Sequence, residues 1–277
     1  MSAKATLSWV ALSIGNSRLH WFSFQGPHLN KTWDTAHVST ATLPVNWQEW
    51  QQLSPAFEDC PAGTDRPELW IISVVPSQTQ FWQTYPQAKV LTAIDLPFQL
   101  PYPTFGLDRA LCTWTAGLLY GWPILVIDAG TALTYTGAIS ITQCLGGAIL
   151  PGLGLQLQSL QATSALPSVS LPNQLPDRWA MDTNTAIQSG IVHTVISSLT
   201  TYIHDWLSQF PTSKVVMTGG DAPMLYRYLC KPRPQIYEFS NHIILNPLLQ
   251  GSGLLHLRQH HLHESHSLET ASDQTSG

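Results

Sequence analysis

The sequence predicts an α/β protein built from two related lobes, and three observations carry that prediction. First, two apolar runs of strand length, Leu7-Ser-Trp-Val-Ala-Leu-Ser-Ile14 and Ile124-Leu-Val-Ile127, each lead into a glycine corner. Runs of this kind fill strands buried on both faces. Second, the two corners match: Ser13-Ile-Gly15-Asn16-Ser17 stands against Asp128-Ala-Gly130-Thr131-Ala132, and a return strand follows each. Such a match points to two lobes that start with the same hairpin. Third, strand-like and helix-like stretches alternate along the rest of the chain, the rhythm of βαβ units.

Composition narrows the class further. The chain has 277 residues with 44% hydrophobic content, but only 10% of its residues are charged, against a usual ~25%. Each Asp or Arg in the middle of the chain therefore carries more information than usual. From Asp128 the nearest charged residues are Arg109 and Asp177. A net charge of −5 without any basic block argues against nucleic-acid binding. The four cysteines (Cys60, Cys112, Cys144, Cys230) form no C-x-x-C pair, which suits reduced thiols in a cytoplasm. The N-terminus reads as a strand and not as a signal peptide. Ala110–Ile127 is long enough to raise a membrane span, but Gly121-Trp-Pro123 divides it into a helix and a strand. A soluble protein with no membrane partner is expected.

Taken in order, Leu7–Ile14 is a strand that runs into the Gly15 corner, and Leu19–Phe24 returns from it. Residues 26–67 are rich in Trp, Gln and Pro and weakly patterned, with one helix candidate at Trp47–Phe57. Leu69–Val75 is a clear strand; Pro76, a short helix (Thr79–Tyr85) and a strand (Lys89–Leu91) follow. Next come Tyr102 and Gly106-Leu107-Asp108-Arg109, opening a helix over Ala110–Tyr120. Asp108 there is either an N-cap, with Arg109 solvated, or a general base with Arg109 as an anion clamp.

Asp128 ends the buried strand of the central hairpin. It either caps the turn or holds a cation, while the corner's backbone N–H groups and the Thr131 hydroxyl donate to phosphate oxygens. A carboxylate buried there without a partner would cost several kcal/mol, roughly. Gly146-Gly147-Ala-Ile-Leu-Pro151-Gly152-Leu-Gly154 is either a place of close backbone approach to a ligand or a turn-rich connector. A helix over Leu155–Ala162 follows it. Asp182-Thr183-Asn184-Thr185 opens the longest helix, Ala186 to about Phe210, whose apolar residues recur every four positions. Thr183 is a cap or a ligand contact, and the helix packs in the core or in a dimer interface. Val215–Met217 is a short strand running into Thr218-Gly219-Gly220-Asp221 and a helix, an arrangement compatible with nucleotide. Ile243–Leu257 reads as a helix packed on the second lobe. The lobes are expected at 1–105 and 106–262, with 263–277 a polar, disordered tail; the nearby histidines His256, His260, His261, His263 and His266 are not expected to bind metal.

Taken together, these motifs resemble the type III pantothenate kinases of the actin/sugar-kinase/Hsp70-like superfamily. The resemblance lies in Gly15-Asn16-Ser17, Ser73-Val-Val-Pro76, Gly106-Leu-Asp-Arg109 and Asp128-Ala-Gly-Thr-Ala132. It extends through Gly146-Gly-Ala-Ile-Leu-Pro-Gly152, Thr183 with Ala186-Ile-Gln-Ser-Gly190, and Thr218-Gly-Gly-Asp221, in the family's order. It implies an actin-like ATPase fold, two duplicated ribonuclease-H-like lobes with a cleft between them. It also implies ATP-dependent phosphorylation of pantothenate to 4′-phosphopantothenate, the first step of coenzyme A biosynthesis, by a homodimer that needs Mg²⁺ and a monovalent cation, K⁺ or NH₄⁺.

By position, Asp108 matches the catalytic base, and Gly106, Leu107, Asp108 and Arg109 the substrate-binding segment, with Thr183 and Tyr102 as further pantothenate contacts. Ser13, Gly15, Asn16, Ser17, Thr131, Gly219 and Gly220 fall in the ATP-binding motifs, and Asp128 matches the monovalent-cation ligand. The family has Asp where this chain has Ser13. Either Mg²⁺ is held through water and ATP oxygens, or turnover is impaired. Two other readings stand beside this one: a kinase for another small hydroxylated substrate, and a non-catalytic regulatory protein on the same fold.

Overall fold

Strand β1 (Ser8–Ile14) is buried at every position but its first, as a strand enclosed on both faces must be. The computed structural model to which it belongs describes residues 8–39, 43–53, 66–163, 166–230 and 241–274, without the side chains of 163 and 263–274. The chain divides into two units. Unit 1 takes the N-terminal part to Phe98, together with Thr104–Leu111 and the chain from Gln250 onward; unit 2 takes Gln99–Pro103 and Cys112–Leu249.

In unit 1, β1 is joined by β2 (Leu19–Gln25), β3 (His28–Thr35), β4 (Glu68–Ser73) and β5 (Ala88–Val90) in the order β3-β2-β1-β4-β5. β1, β2 and β3 form an antiparallel meander, and β4 and β5 continue it in parallel. Helices α1 (Trp47–Leu53) and α2 (Pro76–Trp82) contribute to a core rich in aromatic rings. Trp50 meets Tyr85 edge-on at 5.1 Å, and Trp21 meets Trp82 at 4.9 Å and 80°, the edge-to-face geometry that ring quadrupoles favour.

In unit 2, β6 (Ile124–Ala129), β7 (Ala132–Ser140), β8 (Gln143–Pro151), β9 (Lys214–Thr218) and β10 (Ile243–Leu245) lie in the order β10-β9-β6-β7-β8. Read from the β8 edge, this is the same path: an antiparallel meander, then two parallel strands. The duplication predicted from two short corners thus extends to whole five-stranded sheets. Helices α4 (Leu153–Thr163), α5 (Thr183–Gln209) and α6 (Ala222–Cys230) belong to this unit. Ile191, Val195, Leu199 and Ile203 of α5 recur at helical spacing and share one core with Ile127, Val215 and Met217.

Several expectations need correction. The weakly patterned region contains β3, an edge strand whose residues are almost all exposed or half-exposed, so no apolar alternation marks it. The helix expected at Trp47–Phe57 is α1 as far as Leu53, and the rest of that stretch lies outside the described residues. The glycines of 146 and 147 lie in β8, not in a ligand loop or a connector. Gly147 pairs with Thr136, where a Cβ would strike the Tyr135 carbonyl oxygen, and Gly146 has φ +93° beside a register shift. Ile243–Leu257 is not one helix: Ile243–Leu245 is β10, and the helix α7 (Leu249–Gln274) begins after it. From Gln250, α7 groups with unit 1 and not with the second lobe. Gly251 there lies against the Phe22 ring, and Arg258 pairs with Glu68 at 2.9 Å and covers Trp9 at 4.8 Å. The stretch from 263, expected as a disordered tail, continues α7 to Gln274. The expected boundary at 105/106 differs too, since α3 (Leu107–Tyr120) is shared between the units at Leu111/Cys112.

Candidate active site

Each unit carries one cluster of the residues singled out in the sequence. In unit 1, the Gly15 N–H donates to the Arg18 carbonyl at 3.1 Å and closes the corner after β1. His37 Nε2 lies 2.8 Å from the Gly15 carbonyl oxygen, and Asn16 and Ser17 are exposed at the tip. Ser13, at the end of β1, is buried and stands across the ladder from His20.

Asp108 lies in the same unit, in the first turn of α3. It is not the N-cap, because Ala110 N–H already donates to the Gly106 carbonyl, which makes Gly106 the capping position. The Asp108 carboxylate turns back over Gly106: a Cβ on residue 106 would stand 2.6 Å from its Oδ1. Oδ1 also accepts the Arg109 backbone N–H at 2.7 Å. Burial pushes the Asp108 carboxyl above the usual carboxylate range, against the opposing pull of the Arg109 and His20 charges. Arg109 is not solvated; it is buried, with its guanidinium 4.5 Å from the centre of the Phe105 ring. The helix start thus holds an acid of raised proton affinity beside a buried guanidinium, the combination that marks a candidate functional site.

In unit 2, Asp128 stands in register with Thr134 on β7 and Thr218 on β9. Residues directly opposed in a ladder share a face, so two buried hydroxyl side chains flank the carboxylate. Gly130 N–H donates to the Ala132 carbonyl at 3.0 Å to turn the corner, and Gly152 N–H donates to the Thr131 carbonyl at 2.8 Å. Gly152 must be glycine, because a Cβ there would strike the Gly130 oxygen and lie 2.7 Å from that of Thr131. On the other side, Gly219 has φ +92°, and a Cβ would come within 2.5 Å of both the Ala129 oxygen and Asp128 Oδ1. Gly220 is exposed and has open space around it. Asp221 N–H donates to the Ala129 carbonyl at 2.8 Å, and burial raises its carboxyl.

Carboxylate, hydroxyl and carbonyl oxygens around Asp128 suit a hard cation and offer nothing to a soft one. Among the described residues, no three His, Cys, Asp or Glu side chains gather into a metal-binding group.

The remaining sequence-predicted residues lie elsewhere in unit 2. Tyr102 is exposed in a turn, and Thr183 is exposed as the first residue of α5. Thr183 is not the cap of its helix: Asp182 is, accepting the Thr185 N–H at 3.0 Å. A cavity of about 380 Å³ follows α5, lined by Arg178, Trp179, Ala186, Ser189 and His193. It begins one turn beyond Thr183, not at Asp128. Sequence reasoning missed the bracing by Gly152, the second acid Asp221 and the neighbours His20, Asp34 and His37. For Gly152 and Asp221 the signal was present in the glycine motifs themselves.

A duplicated sheet with a glycine corner after each central strand, and a desolvated acid at a helix start, defines an actin-like phosphotransferase fold. The sequence matches the family model of the type III pantothenate kinases over residues 9–205. It is 45% identical over 234 residues to the type III pantothenate kinase of Nostoc sp., covering 80% of this chain and 84% of that one. With the Synechocystis sp. enzyme of the same name the identity is 42%, covering 82% and 83%. Among solved structures, a Baf family protein from Campylobacter jejuni superposes with TM-score 0.59 at 20% identity, covering 92% of this chain and 99% of that one. This chain belongs to the type III pantothenate kinase family.

Proposed function

We propose that Asp108 is the catalytic base of the family reaction, in which ATP phosphorylates pantothenate to 4′-phosphopantothenate at the start of coenzyme A biosynthesis. Asp108 takes the hydroxyl proton of pantothenate as that oxygen bonds to the γ-phosphorus. The bond from phosphorus to the bridging oxygen breaks, and its electron pair leaves with ADP. One observation carries this reading: the Asp108 carboxyl is folded over Gly106, shielded from water and raised in proton affinity, beside the buried Arg109. Arg109 offers the planar fork that binds a carboxylate, the group pantothenate carries. Gly106 and Leu107 position the substrate, and Tyr102 and Thr183 are the remaining substrate contacts of this reading.

The Gly15, Asn16 and Ser17 corner, with Thr131, Gly219 and Gly220, is assigned to ATP. Asp128, flanked by Thr134 and Thr218, is assigned to the monovalent cation, K⁺ or NH₄⁺, which when bound supplies positive charge near the phosphates. Ser13 offers no carboxylate, so Mg²⁺ would be held through water and ATP oxygens; an unchanged Mg²⁺ requirement in a Ser13→Asp variant would support this. The protein acts as a cytoplasmic homodimer. Exposed Trp179 and Met181 beside α5 are consistent with a homodimer. Among the described residues, no helix is long and apolar enough to cross a membrane.

A coupled assay with pantothenate and ATP, with and without K⁺, tests the reaction. In the same assay Asp108→Asn is expected to lose about 10²–10⁴ in turnover while keeping its fold. A near-normal rate in that variant would refute the assignment.

A further inference from the structure

The two glycine corners differ in a way that their shared topology makes plain. In unit 2 the strand-end position before the corner holds Asp128, with Thr134 directly across the ladder. In unit 1 the same position holds Ser13, with His20 directly across the ladder. The ionisable side chain has thus changed strand. His20 does not stand alone: its Nδ1 is 2.8 Å from Oδ1 of Asp34, its cross-strand neighbour on β3. The carboxylate accepts the Nδ1 proton and fixes the ring. The other edge of the ring is turned toward the corner. His20 Nε2 is the side-chain atom nearest to the Cβ position of Gly15, at 3.6 Å. The ring also lies within electrostatic reach of Asp108.

We propose that His20, oriented by Asp34, is a phosphate-binding residue of the nucleotide site at the Gly15 corner, donating from Nε2–H to a phosphate oxygen of ATP. The inference rests on the reading that this corner receives the nucleotide. In its imidazolium form the ring gives one proton to Asp34 and presents its other nitrogen to the corner. It then makes a charge-assisted hydrogen bond to the anion. The pair is partly exposed, so its contribution to fold stability is small and its removal leaves a folded protein to measure.

The test uses the full chain with MgATP and pantothenate. His20→Ala is expected to raise the KM for ATP roughly 10- to 100-fold. The KM for pantothenate should stay within about twofold and the melting temperature should not move. His20→Gln, which keeps a donor, recovers part of the loss, and Asp34→Asn raises the ATP KM by a smaller factor than His20→Ala. Calorimetric titration of ATP alone must show the same order of affinities. An ATP affinity unchanged in His20→Ala overturns the assignment. So does an equal rise in both KM values together with a lower melting temperature, since that marks a merely structural pair. If the wild type binds ATP without turning over pantothenate, the substrate reading fails, and the titration of the variants still decides the role of His20.

Discussion

Gly106 and Asp108 act as one unit: the glycine vacates the space into which the carboxylate folds, and only there is the acid desolvated. Any side chain at 106 drives the carboxylate out. The raised proton affinity of Asp108 has a definite consequence for stability. A carboxyl whose folded-state pKa lies above its unfolded value favours folding while both states are protonated. It loses that contribution as pH climbs from the ordinary carboxylate range through the folded value, and the penalty is then constant. Asp108→Asn removes the ionisable group yet keeps an oxygen for the Arg109 N–H. The variant should therefore melt higher than wild type at pH 7, and the difference should vanish below the ordinary carboxylate pKa. Thermal melts at pH 3.5 and pH 7, values on either side of that range, check this; a variant less stable at neutral pH would contradict the desolvation argument. That Asp108 stands out was legible in the sequence, because so few charges interrupt this stretch. That Asp108 is not the helix cap was not legible, because Gly106 accepts the capping bond through its backbone.

At the scale of elements, the β9–α6 turn separates two adjacent glycines that look alike in sequence. Gly219 has φ +92° and presses on Ala129 and Asp128, whereas Gly220 is exposed with open space around it. Gly219→Ala is expected to cost about 1–3 kcal/mol or more from backbone strain alone, with loss of activity as Asp128 is displaced. Gly220→Ala should fold normally; a rise in its ATP KM would report close approach of the nucleotide to the backbone. Urea unfolding and steady-state kinetics on the pair distinguish the two roles. Sequence reasoning found β1, β4, β6 and β9, which carry continuous apolar runs, and with them β2, β5 and the return strand β7. It missed β3 and mistook β8 for a loop, because edge strands present polar or glycine-rich residues and are held by ladder hydrogen bonds to a neighbour.

For the whole molecule, the proposed homodimer makes a prediction that does not depend on catalysis. Trp179 is 87% and Met181 98% exposed in the single chain, beside the cavity that runs along α5. Large apolar side chains so exposed mark an interaction surface. Trp179→Ala combined with Met181→Glu is expected to shift the protein from dimer to monomer in sedimentation equilibrium, and a wild-type monomer at micromolar concentration would remove the proposal. The C-terminal helix α7 shows how far chain order and spatial order diverge. It follows β10 directly in sequence, yet it packs its Gly251 and Arg258 on β2, β1 and β4 of the other sheet.

The sequence by itself determined the fold class, the internal duplication and the family reaction, and it singled out the residues of the proposed site. Those properties are written in local patterns: apolar runs, glycine corners, and scarce charges at strand and helix ends. Only the tertiary structure decided that Gly152 and Gly219 are obligatory, that Asp221 is desolvated, that α7 returns to the first unit, and that His20 and Asp34 stand beside the Gly15 corner. Each of these depends on which strands become neighbours, and strand pairing is a long-range outcome of burial and hydrogen bonding that no short stretch of residues encodes alone.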